Sequence, residues 1–342
     1  MQNSNQKLIT FVIPAYNSAP YLHFAVDSLL PFGEQIEVLI IDDGSKDETG
    51  AIADDYAKTY PFIRAIHQPN GGHGEGINHG LKEAQGLYFK VLDSDDWVDE
   101  DALRKLLHHI TTHNAWADLY LTNYVYWQGR NHRGQVISYR YLFWGKQRDG
   151  SWKNLRNFKY SSNITLHSAM YKTSVLREAK VHCPQHVSYE DNYFVYAPMP
   201  FVRNISYVDA DLYQYLIGRE GQSMENTTCI RKYFDFIVDG QLIFDAADLI
   251  KIRKENHALF RAMYHHLLLN FVMVPTFARL NGSPEAKEDL KAFWAHCRNS
   301  NPRFYRFVRS HWALISLTMP GKAGVKAVKF DYKLAHKLVK FN

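Results

Sequence analysis

The sequence predicts an α/β fold with a mainly parallel sheet, helices on both of its faces, and a mostly helical C-terminal region. In the first 92 residues, four short apolar segments with strand composition alternate with segments of helical periodicity. Strands that alternate with helices pair in parallel through right-handed crossovers, an architecture typical of nucleotide-binding domains. From about Glu225 onward, apolar residues recur at helical spacing instead, which predicts the helical region.

Local signals place the elements of the predicted sheet domain. The four strands are predicted at residues 8–15, 37–41, 62–66 and 88–92. The helices between them are predicted at 21–30 behind an N-cap at Asn17 or Ser18, from Ser45 to about Tyr60, and from the glycine-rich turn 70–76 to about Gln85. Ser45 and Glu48 have the spacing of a capping box, which marks the start of the second helix.

The end of the fourth predicted strand carries a dense group of acids. The apolar run stops abruptly at residues 93–96, Asp-Ser-Asp-Asp, at the edge where open α/β sheets bind ligands. Carboxylates packed this closely repel one another, and a bound hard divalent cation such as Mg²⁺ or Mn²⁺ offsets this repulsion. Alternatively, the acids only begin the next helix. Residues 99–101 fit that alternative, because acids favour the first turn of a helix, whereas Asp93 and Asp95 lie on the strand side of the turn.

The turn after the first predicted strand argues against a dinucleotide site. A Rossmann unit needs Gly-x-Gly-x-x-Gly there, so that the backbone can approach a pyrophosphate, but residues 14–19 contain no glycine. The glycines at 71–76 follow the third strand instead, do not match that spacing and come without a Walker lysine. They form either a tight, flexible turn or a backbone-lined wall of a ligand site. A nicotinamide-dependent oxidoreductase is therefore disfavoured.

The composition is that of a packed globular chain. Its 342 residues suffice for one large or two ordinary domains, and 46% of them are hydrophobic. Cys183, Cys229 and Cys297 lie far apart without metal-ligand spacing, so we expect no disulfide framework, no zinc site and a cytoplasmic protein. The apolar runs at 8–13 and 267–278 are too short or too interrupted for a signal peptide or a membrane span.

Four motifs, in this order and at these intervals, resemble the family 2 glycosyltransferases, whose fold is called GT-A. They are Val12-Ile13-Pro14-Ala15-Tyr16-Asn17, Ile41-Asp42-Asp43-Gly44-Ser45, Asn70-Gly71-Gly72 with Ile77-Asn78-His79-Gly80, and Leu92-Asp93-Ser94-Asp95-Asp96. The resemblance covers about the first two thirds of the chain. In one departure, many relatives carry Ala-Arg-Asn where this chain has Gly-Ile-Asn at residues 76–78, so a basic contact to the nucleotide is missing or supplied from elsewhere.

The resemblance implies a UDP-sugar site at the carboxyl ends of the strands. By resemblance, Asp43 accepts a hydrogen bond from the uracil ring and Asp93 faces the ribose. Asp95, together with Asp93, holds the Mn²⁺ or Mg²⁺ ion that bridges the diphosphate. The full set of expected nucleotide-binding residues is Pro14, Ala15, Tyr16, Asn17, Asp43, Asn70, Gly72, Asp93 and Ser94.

The pair Glu190-Asp191 stands directly before an apolar helical run. One interpretation is a helix N-terminus stabilised by acids. The resemblance instead makes Asp191 the catalytic base, with Glu190 as the second candidate. An acceptor hydroxyl is a poor nucleophile at neutral pH, and a positioned carboxylate that takes its proton contributes about 10² to 10⁴ in rate. A base placed opposite the leaving diphosphate implies a single displacement that inverts the anomeric carbon.

Residues 116–224 are expected to form the acceptor and base half of a catalytic domain, beside a nucleotide-binding half at 1–115. The strands predicted here are 118–127 and 135–143, as a hairpin, followed by 205–208 and 212–216. The hairpin aromatics belong either to the core and sheet face or to an acceptor site. In the enzymes that the chain resembles, a segment beyond these strands closes over the diphosphate. The resemblance therefore makes Arg219, Gln222 and Ser223 candidates for clamping the diphosphate, with a flexible polar linker as the alternative.

The helical region, residues 225–342, ends in a basic tail. Its lysines and arginines face one acid, Asp331, and alternate with apolar residues; they are Arg303, Arg306, Arg309, Lys322, Lys326, Lys329, Lys333, Lys337 and Lys340. This pattern suits the surface of an anionic membrane or an amphipathic helix docked on the catalytic domain. Nucleic acid is a poorer partner, because the net charge of +5 is modest and the basic residues are concentrated in the tail.

With the resemblance, these signals predict a metal-dependent, inverting glycosyltransferase. It is expected to move a hexose or N-acetylhexosamine from a UDP-sugar to a hydroxyl of a glycan or lipid-linked glycan, in the synthesis of a cell-surface polysaccharide or glycoconjugate. We expect it in the cytoplasm, peripheral on the inner face of the membrane. The alternative is a catalytically silent, membrane-associated scaffold that retains the fold.

Overall fold

The computed structural model describes residues 6–129, 132–160, 162–218 and 225–315, together with residues 317, 319 and 324. The chain divides into two compact units, Met1–Ile217 and Gly218–Asn342. The division predicted after residue 224 stays a prediction, because residues 219–224 lie outside the described part of the chain.

Ten strands of the described residues form one mixed sheet in the first unit. They are β1 (Ile9–Ala15), β2 (Ile36–Asp42), β3 (Ile63–His67), β4 (Tyr88–Val91), β5 (Trp97–Val98), β6 (Leu119–Gln128), β7 (Arg133–Ile137), β8 (Asp149–Gly150), β9 (Ala169–Lys172) and β10 (Ile205–Ile217). Their order is β3-β2-β1-β4-β9-β6-β10-β5, with β7 paired to β6 and β8 paired to β10.

The first four strands are parallel, as the alternation of strands and helices predicted. β1 lies between β2 and β4, and β2 pairs with β3. Every residue of β1 and β2 is buried, which explains their continuous apolar runs. The chain runs outward from β1 to β3 and then returns to β4 on the other side of β1. The carboxyl ends of β1 and β4 therefore lie where the strand order reverses, which is where such sheets bind ligands.

β9 connects this parallel part to the rest of the sheet. It pairs antiparallel with both β4 and β6. Because β9 runs opposite to β4, the residues that precede β9 lie beside the residues that follow β4. A loop around residue 167 is thereby brought to the acidic turn at residue 93.

Six α-helices of the first unit lie among the described residues. They are α1 (Leu22–Asp27), α2 (Thr49–Thr59), α3 (His73–Glu83), α4 (Glu100–Thr112), α5 (Thr173–Glu178) and α6 (Asp191–Tyr196). The Asp99 side chain caps α4 by accepting a hydrogen bond from the backbone of Ala102, and two more acids lie in its first turn. Residues 99–101 thus begin a helix, as the alternative interpretation of the acidic run predicted.

Several local predictions are wrong. The first helix, α1, has Tyr21 as its N-cap instead of Asn17 or Ser18, and it ends at Asp27. The strand predicted at 135–143 ends at Ile137, and Arg140–Leu142 is a short 3₁₀ helix. α2 begins at Thr49, and its N-cap Glu48 makes no side-chain capping bond. Ser45 is engaged elsewhere, because its hydroxyl accepts from the backbone N–H of Asn17 at 3.1 Å. The two short strands predicted after residue 205 are one strand, β10. Its register against β6 shifts between Tyr207 and Tyr213, and this irregularity accommodates the polar residues that suggested a break.

The second unit is helical throughout its described residues, as predicted. Its helices are α7 (Asn226–Arg231), α8 (Tyr233–Asp245), α9 (Leu249–Glu255), α10 (His257–Asn281), α11 (Pro284–Ser300), α12 (Pro302–Arg309) and α13 (Trp312–Ile315). α8 packs closely on α10, since a Cβ added at Gly240 would lie 2.9 Å from the Val274 side chain. Among the helices that the structure describes, none is both long enough and apolar enough for a membrane crossing.

The start of the basic tail belongs to this packing. On α12, Phe304 and Val308 are buried, and the Arg309 guanidinium lies 4.8 Å from the centre of the Trp294 ring. The apolar face of α12 is therefore covered within its own unit. The basic residues from Lys322 onward lie outside the described residues, so the membrane prediction for the tail stays a prediction.

Candidate active site

Asp43, after β2, is tied to the glycine-rich loop after β3. Its buried carboxylate accepts from the backbone N–H groups of Gly71 and Gly72, both at 2.8 Å, and from the Gln68 amide at 2.7 Å. Gly72 has a φ of 87°, and a Cβ added there would lie 3.0 Å from the backbone nitrogen of His186, so this position requires glycine. The loop is thus held in place by Asp43. A carboxylate has about four acceptor positions, which leaves room for one further donor such as a uracil N–H.

The loop after β1 lies beside the turn after β4. The Ser18 and Ser94 hydroxyls are 2.7 Å apart and share a hydrogen bond. Asn17 has a left-handed backbone, with φ of 49°, and its side chain accepts from the backbone N–H of Lys46 at 2.8 Å. Tyr16 presents about half of its surface to solvent. An exposed aromatic ring is thus positioned at the carboxyl edge of the sheet.

His73, the first residue of α3, bridges two acidic groups that lie far apart in the sequence. Its Nδ1 lies 2.6 Å from Glu190 Oε1, and its Nε2 lies 3.0 Å from Asp93 Oδ1. Because carboxylates only accept, both ring nitrogens donate and the ring is an imidazolium. Burial alone would lower the pKa of His73, but the hydrogen bonds to the two acids outweigh burial and raise that pKa well above 6.5. Burial opposes ionisation of Asp93 as well, yet the contact with His73 lowers the pKa of Asp93 to about 2.

Asp191 begins α6, directly after the Glu190 carboxylate that His73 binds. Burial, reinforced by the charge of Glu190, raises the pKa of Asp191 to about 7, although His73 acts in the opposite direction. A carboxyl group whose pKa lies near the working pH exchanges protons efficiently with a reactant. Asp191 can therefore both begin a helix and exchange a proton with a reactant.

Asp96 connects the turn after β4 to β10. It is fully buried, and its carboxylate accepts from the Tyr213 hydroxyl at 2.7 Å and from the backbone N–H of Leu216 at 2.8 Å. The Tyr213 hydroxyl in turn accepts from the backbone N–H of Asp93 at 3.1 Å. Burial, followed by the charges of Asp95 and Asp93, raises the pKa of Asp96 well above its ordinary value. The turn that carries the predicted metal ligands is thereby anchored to a neighbouring strand.

A buried lysine on β4 holds the loop that precedes β9. The Lys90 ammonium donates to the carbonyl oxygens of Leu166, His167 and Ala169 at 2.7, 2.7 and 3.0 Å. Burial lowers the pKa of Lys90 to about 7. Burial also lowers the pKa of the His167 ring to about 4, so this imidazole is neutral near pH 7.

A divalent cation fits the side chains around Asp93. One ligand atom each from Asp93, Asp96 and His167 lie within 4.8 Å of one another. Carboxylate oxygens suit Mn²⁺ and Mg²⁺, and imidazole suits transition metals. Asp95, the other predicted ligand, is on the same turn but is not a member of this three-residue group. Its assignment as a ligand stays a prediction.

Most of the predicted site residues lie at this one edge of the sheet. Those described there are Pro14, Ala15, Tyr16, Asn17, Asp43, Asn70, Gly72, Asp93, Ser94, Asp95, Glu190 and Asp191. Asn70 donates from its side chain to the Asp43 carbonyl at 3.0 Å. Arg219, Gln222 and Ser223 lie outside the described residues.

Four residues of this edge were missed from the sequence, namely His73, Lys90, His167 and Tyr213. His73 could have been recognised from the sequence. It is a titratable residue within a glycine-rich turn at the start of a predicted helix, where backbone groups can line a ligand site. The other three have no local signal. Each is an isolated residue of a strand or loop, and only its contacts reveal it.

Residues 10–178 match the model of the family described as "Glycosyl transferase family 2". This region of the chain belongs to the family. The resemblance carried by the four motifs is thus confirmed, and the matched region contains Asp43, His73, Asp93 and His167.

One curated relative of this family 2 chain is EpsH of Bacillus subtilis (strain 168), described as a glycosyltransferase. It is 29% identical over 228 residues, which are 61% of this chain and 60% of EpsH. Two further curated relatives are matched over only 29% and 39% of their own lengths. The matched segments therefore span less than two thirds of these relatives.

Solved structures show the fold of this family 2 chain. S. aureus TarS 1-349 in complex with UDP-GlcNAc has a TM-score of 0.68 at 21% identity, covering 96% of this chain and 92% of that one. The mannosyltransferase PcManGT from Pyrobaculum calidifontis, in complex with GDP-Man and Mn²⁺, has a TM-score of 0.50 at 16% identity, covering 98% and 88%. The GT-A fold predicted from the sequence is confirmed.

Proposed function

We propose that this chain is a metal-dependent, inverting glycosyltransferase that uses a UDP-sugar. It moves a hexose or N-acetylhexosamine to a hydroxyl of a glycan or lipid-linked glycan, in the synthesis of a cell-surface polysaccharide. The observation that carries the proposal is the bridge made by His73, at 3.0 Å to Asp93 and 2.6 Å to Glu190. It joins the acids expected at the donor to the acids expected at the acceptor.

Asp191 is proposed as the base that removes the proton of the acceptor hydroxyl. Its pKa of about 7 leaves a large fraction ionised at neutral pH and still basic enough to accept a proton. The hydroxyl oxygen attacks the anomeric carbon, the bond from that carbon to the diphosphate breaks, and the proton goes to the Asp191 carboxylate. Attack from the face opposite the leaving diphosphate inverts the anomeric centre.

The donor is proposed to lie along the carboxyl ends of β1, β2 and β4. Asp43 would accept from the uracil and Asp93 would face the ribose, while Asp93 and Asp95 would hold the cation. A bound divalent cation supplies Lewis-acid stabilisation of the departing diphosphate, an effect of several kcal/mol. The imidazolium of His73 lies beside Asp93 and is a further positive charge in this region.

The relatives support the choice of donor and metal. TarS binds UDP-GlcNAc, and PcManGT binds GDP-Man with Mn²⁺. Both are nucleoside diphosphate sugars carried by the same fold. The first is the basis for proposing uridine as the base, and the second for proposing a divalent cation.

Thermal unfolding with nucleotides tests the donor. UDP with Mn²⁺ is expected to raise the midpoint by several degrees, since a ligand at 100 times its Kd stabilises a fold by about 2.7 kcal/mol. GDP, CDP, dTDP and NAD, each with Mn²⁺ and with EDTA, are the comparison arms. A UDP shift that persists in EDTA would contradict metal dependence. The absence of any nucleotide shift would favour the silent scaffold instead.

Product stereochemistry tests the proposed single displacement. Once a donor sugar and an acceptor are found, proton NMR of the fresh product is expected to show the anomeric configuration opposite to that of the donor. The physical reason is that one base and no nucleophilic carboxylate are assigned to the site. Retention of configuration would remove the single displacement and the assignment of Asp191 as the base for it.

A further inference from the structure

His167 lies beside the acidic turn, but its ring nitrogen is too far from the Asp93 carboxylate for a direct hydrogen bond. Its Nε2 is 3.9 Å from Asp93 Oδ2, beyond the range of a hydrogen bond. Two ligands of one cation, each about 2.1 Å from it, can be up to about 4.2 Å apart. The gap between these two atoms is therefore within the reach of one shared ion.

The two oxygens of Asp93 have different histidine neighbours. Oδ1 accepts a direct hydrogen bond from His73 at 3.0 Å, and His73 is held from its other side by Glu190. Oδ2 faces His167 at the longer distance. Oδ2 and His167 Nε2 thus have the spacing of two ligands of one cation, whereas the hydrogen bond from His73 to Oδ1 orients the carboxylate.

Aromatic packing fixes the direction of the His167 ring. It stacks on Tyr215 with centroids 4.4 Å apart and meets the edge of Tyr213 at 4.8 Å. Tyr124 packs on it at 5.3 Å. A ring held on several sides keeps its nitrogen aimed before any ion binds, which lowers the entropic cost of binding.

The backbone of His167 is fixed from β4, the strand that leads into the turn with Asp93. Lys90, on β4, donates to the carbonyl oxygens of residues 166, 167 and 169. The next residue, Ser168, is bound within the loop, because its backbone and hydroxyl both donate to the Thr165 carbonyl. β4 therefore positions both Asp93, through its own end, and His167, through Lys90.

We propose that His167 Nε2 is a ligand of the divalent cation at Asp93, so that the cation has an imidazole in addition to the aspartates of the motif. This inference rests on the proposed metal-dependent function. It also has a consequence for metal choice. Imidazole nitrogen suits Mn²⁺ and other transition metals, whereas Mg²⁺ prefers oxygen ligands. The enzyme is therefore expected to bind Mn²⁺ more tightly than Mg²⁺, with His167 as the cause.

Mn²⁺ binding to the full chain, measured by electron paramagnetic resonance with UDP present, tests the assignment. Pulsed spectra of the wild-type protein are expected to show modulation from a directly bound ¹⁴N nucleus. His167→Gln is expected to lose that modulation and to bind Mn²⁺ about 10- to 100-fold more weakly, while its Mg²⁺ affinity changes less. His79→Gln is the matched control, because His79 lies on α3 with Gln68 as its partner and is expected to leave both readouts unchanged.

The outcomes separate this inference from the function on which it rests. If Mn²⁺ does not bind with or without UDP, the proposed metal dependence fails and the assignment fails with it. If Mn²⁺ binds but the wild-type spectra show no ¹⁴N modulation, the function stands and His167 is not a ligand. Modulation that persists in His167→Gln assigns the nitrogen to another residue and also overturns the inference. The wild-type spectrum alone can overturn the assignment, even where the variant fails to fold.

Discussion

Asp191→Asn is expected to lower kcat by about 10²- to 10⁴-fold while leaving the affinity for UDP and Mn²⁺ unchanged. The amide has nearly the same shape as the carboxyl group but cannot take the proton of the acceptor hydroxyl. Initial rates and UDP titrations on the same preparation measure the two effects. Asp101→Asn is the control, since this exposed acid lies in the first turn of α4 and serves only the helix. Unchanged turnover in Asp191→Asn would remove this residue from the mechanism.

The same substitution is expected to stabilise the fold above neutral pH. The pKa of Asp191 is raised from 3.8 to about 7, so the ionised group costs stability. This cost is absent below pH 3.8, grows as the pH rises from there, and is complete above about pH 7. Asp191→Asn should therefore unfold at a higher temperature than the wild type at pH 8 and at a similar temperature near pH 4. A loss of stability at pH 8 would show that the carboxylate has a structural role instead.

The pH dependence of turnover follows from that pKa. A base must be ionised to act, so kcat is expected to fall as the pH drops below about 7 and to level off above it. The profile of Asp191→Asn should lack this step. A wild-type rate that is flat from pH 5 to pH 8 would contradict the assignment.

His73→Phe is expected to lower the free energy of unfolding by about 2–3 kcal/mol. Removing one partner of a buried ion pair costs about 3–5 kcal/mol, and we discount this because the His73 side chain is 36% exposed. The physical cause is that Glu190, which is almost fully buried, and Asp93 lose the cation between them. Urea unfolding measures the change. His79→Phe, on the same helix, removes one contact to an uncharged side chain and should cost less.

The effect of His73→Phe should depend on pH in a definite direction. The folded-state pKa of His73 is raised, so its contribution is complete below pH 6.5 and is lost as the pH rises through the raised value. The pKa of Asp93 is lowered to about 2, so its contribution is complete above pH 3.8 and is lost as the pH falls toward 2. The difference between wild type and variant should be largest between these limits. A difference that is constant from pH 5 to pH 10 would argue against an imidazolium at this position.

The parallel part of the sheet could be predicted because its signals are local. The run from Ile9 to Ala15 is fully buried and is apolar except for Thr10, and the Asp99 cap lies one residue before the first turn it stabilises. The failed capping box shows the limit of such signals. Ser45 has the right spacing to Glu48, but its hydroxyl is engaged by Asn17, which belongs to another loop. A local pattern predicts a bond only where no distant group competes for it.

The acids of the site were recognised individually, but their connections were not. Asp93 and Glu190 were both named from the sequence, whereas the histidine that joins them was interpreted only as part of a glycine-rich turn. Asp96 was grouped with the metal-binding acids. In the structure its carboxylate is bonded to Tyr213 and to the backbone of Leu216. One oxygen of Asp96 also lies in the group with Asp93 and His167 that a cation would fit, so this buried acid both anchors a strand and borders the candidate cation site. Sequence spacing does not contain these partners.

Local periodicity and composition were enough to predict the first four strands, the polar residues at their ends and the helical second unit, since these signals act over a few residues. Which loops meet at the carboxyl edge depends instead on how distant strands pair. β9 runs antiparallel to β4, and this pairing alone brings His167 to Asp93 and the carbonyls of its loop to Lys90. Pairing between distant strands depends on burial across the whole sheet. A residue whose role depends on such a pairing therefore has no signal in the sequence around it.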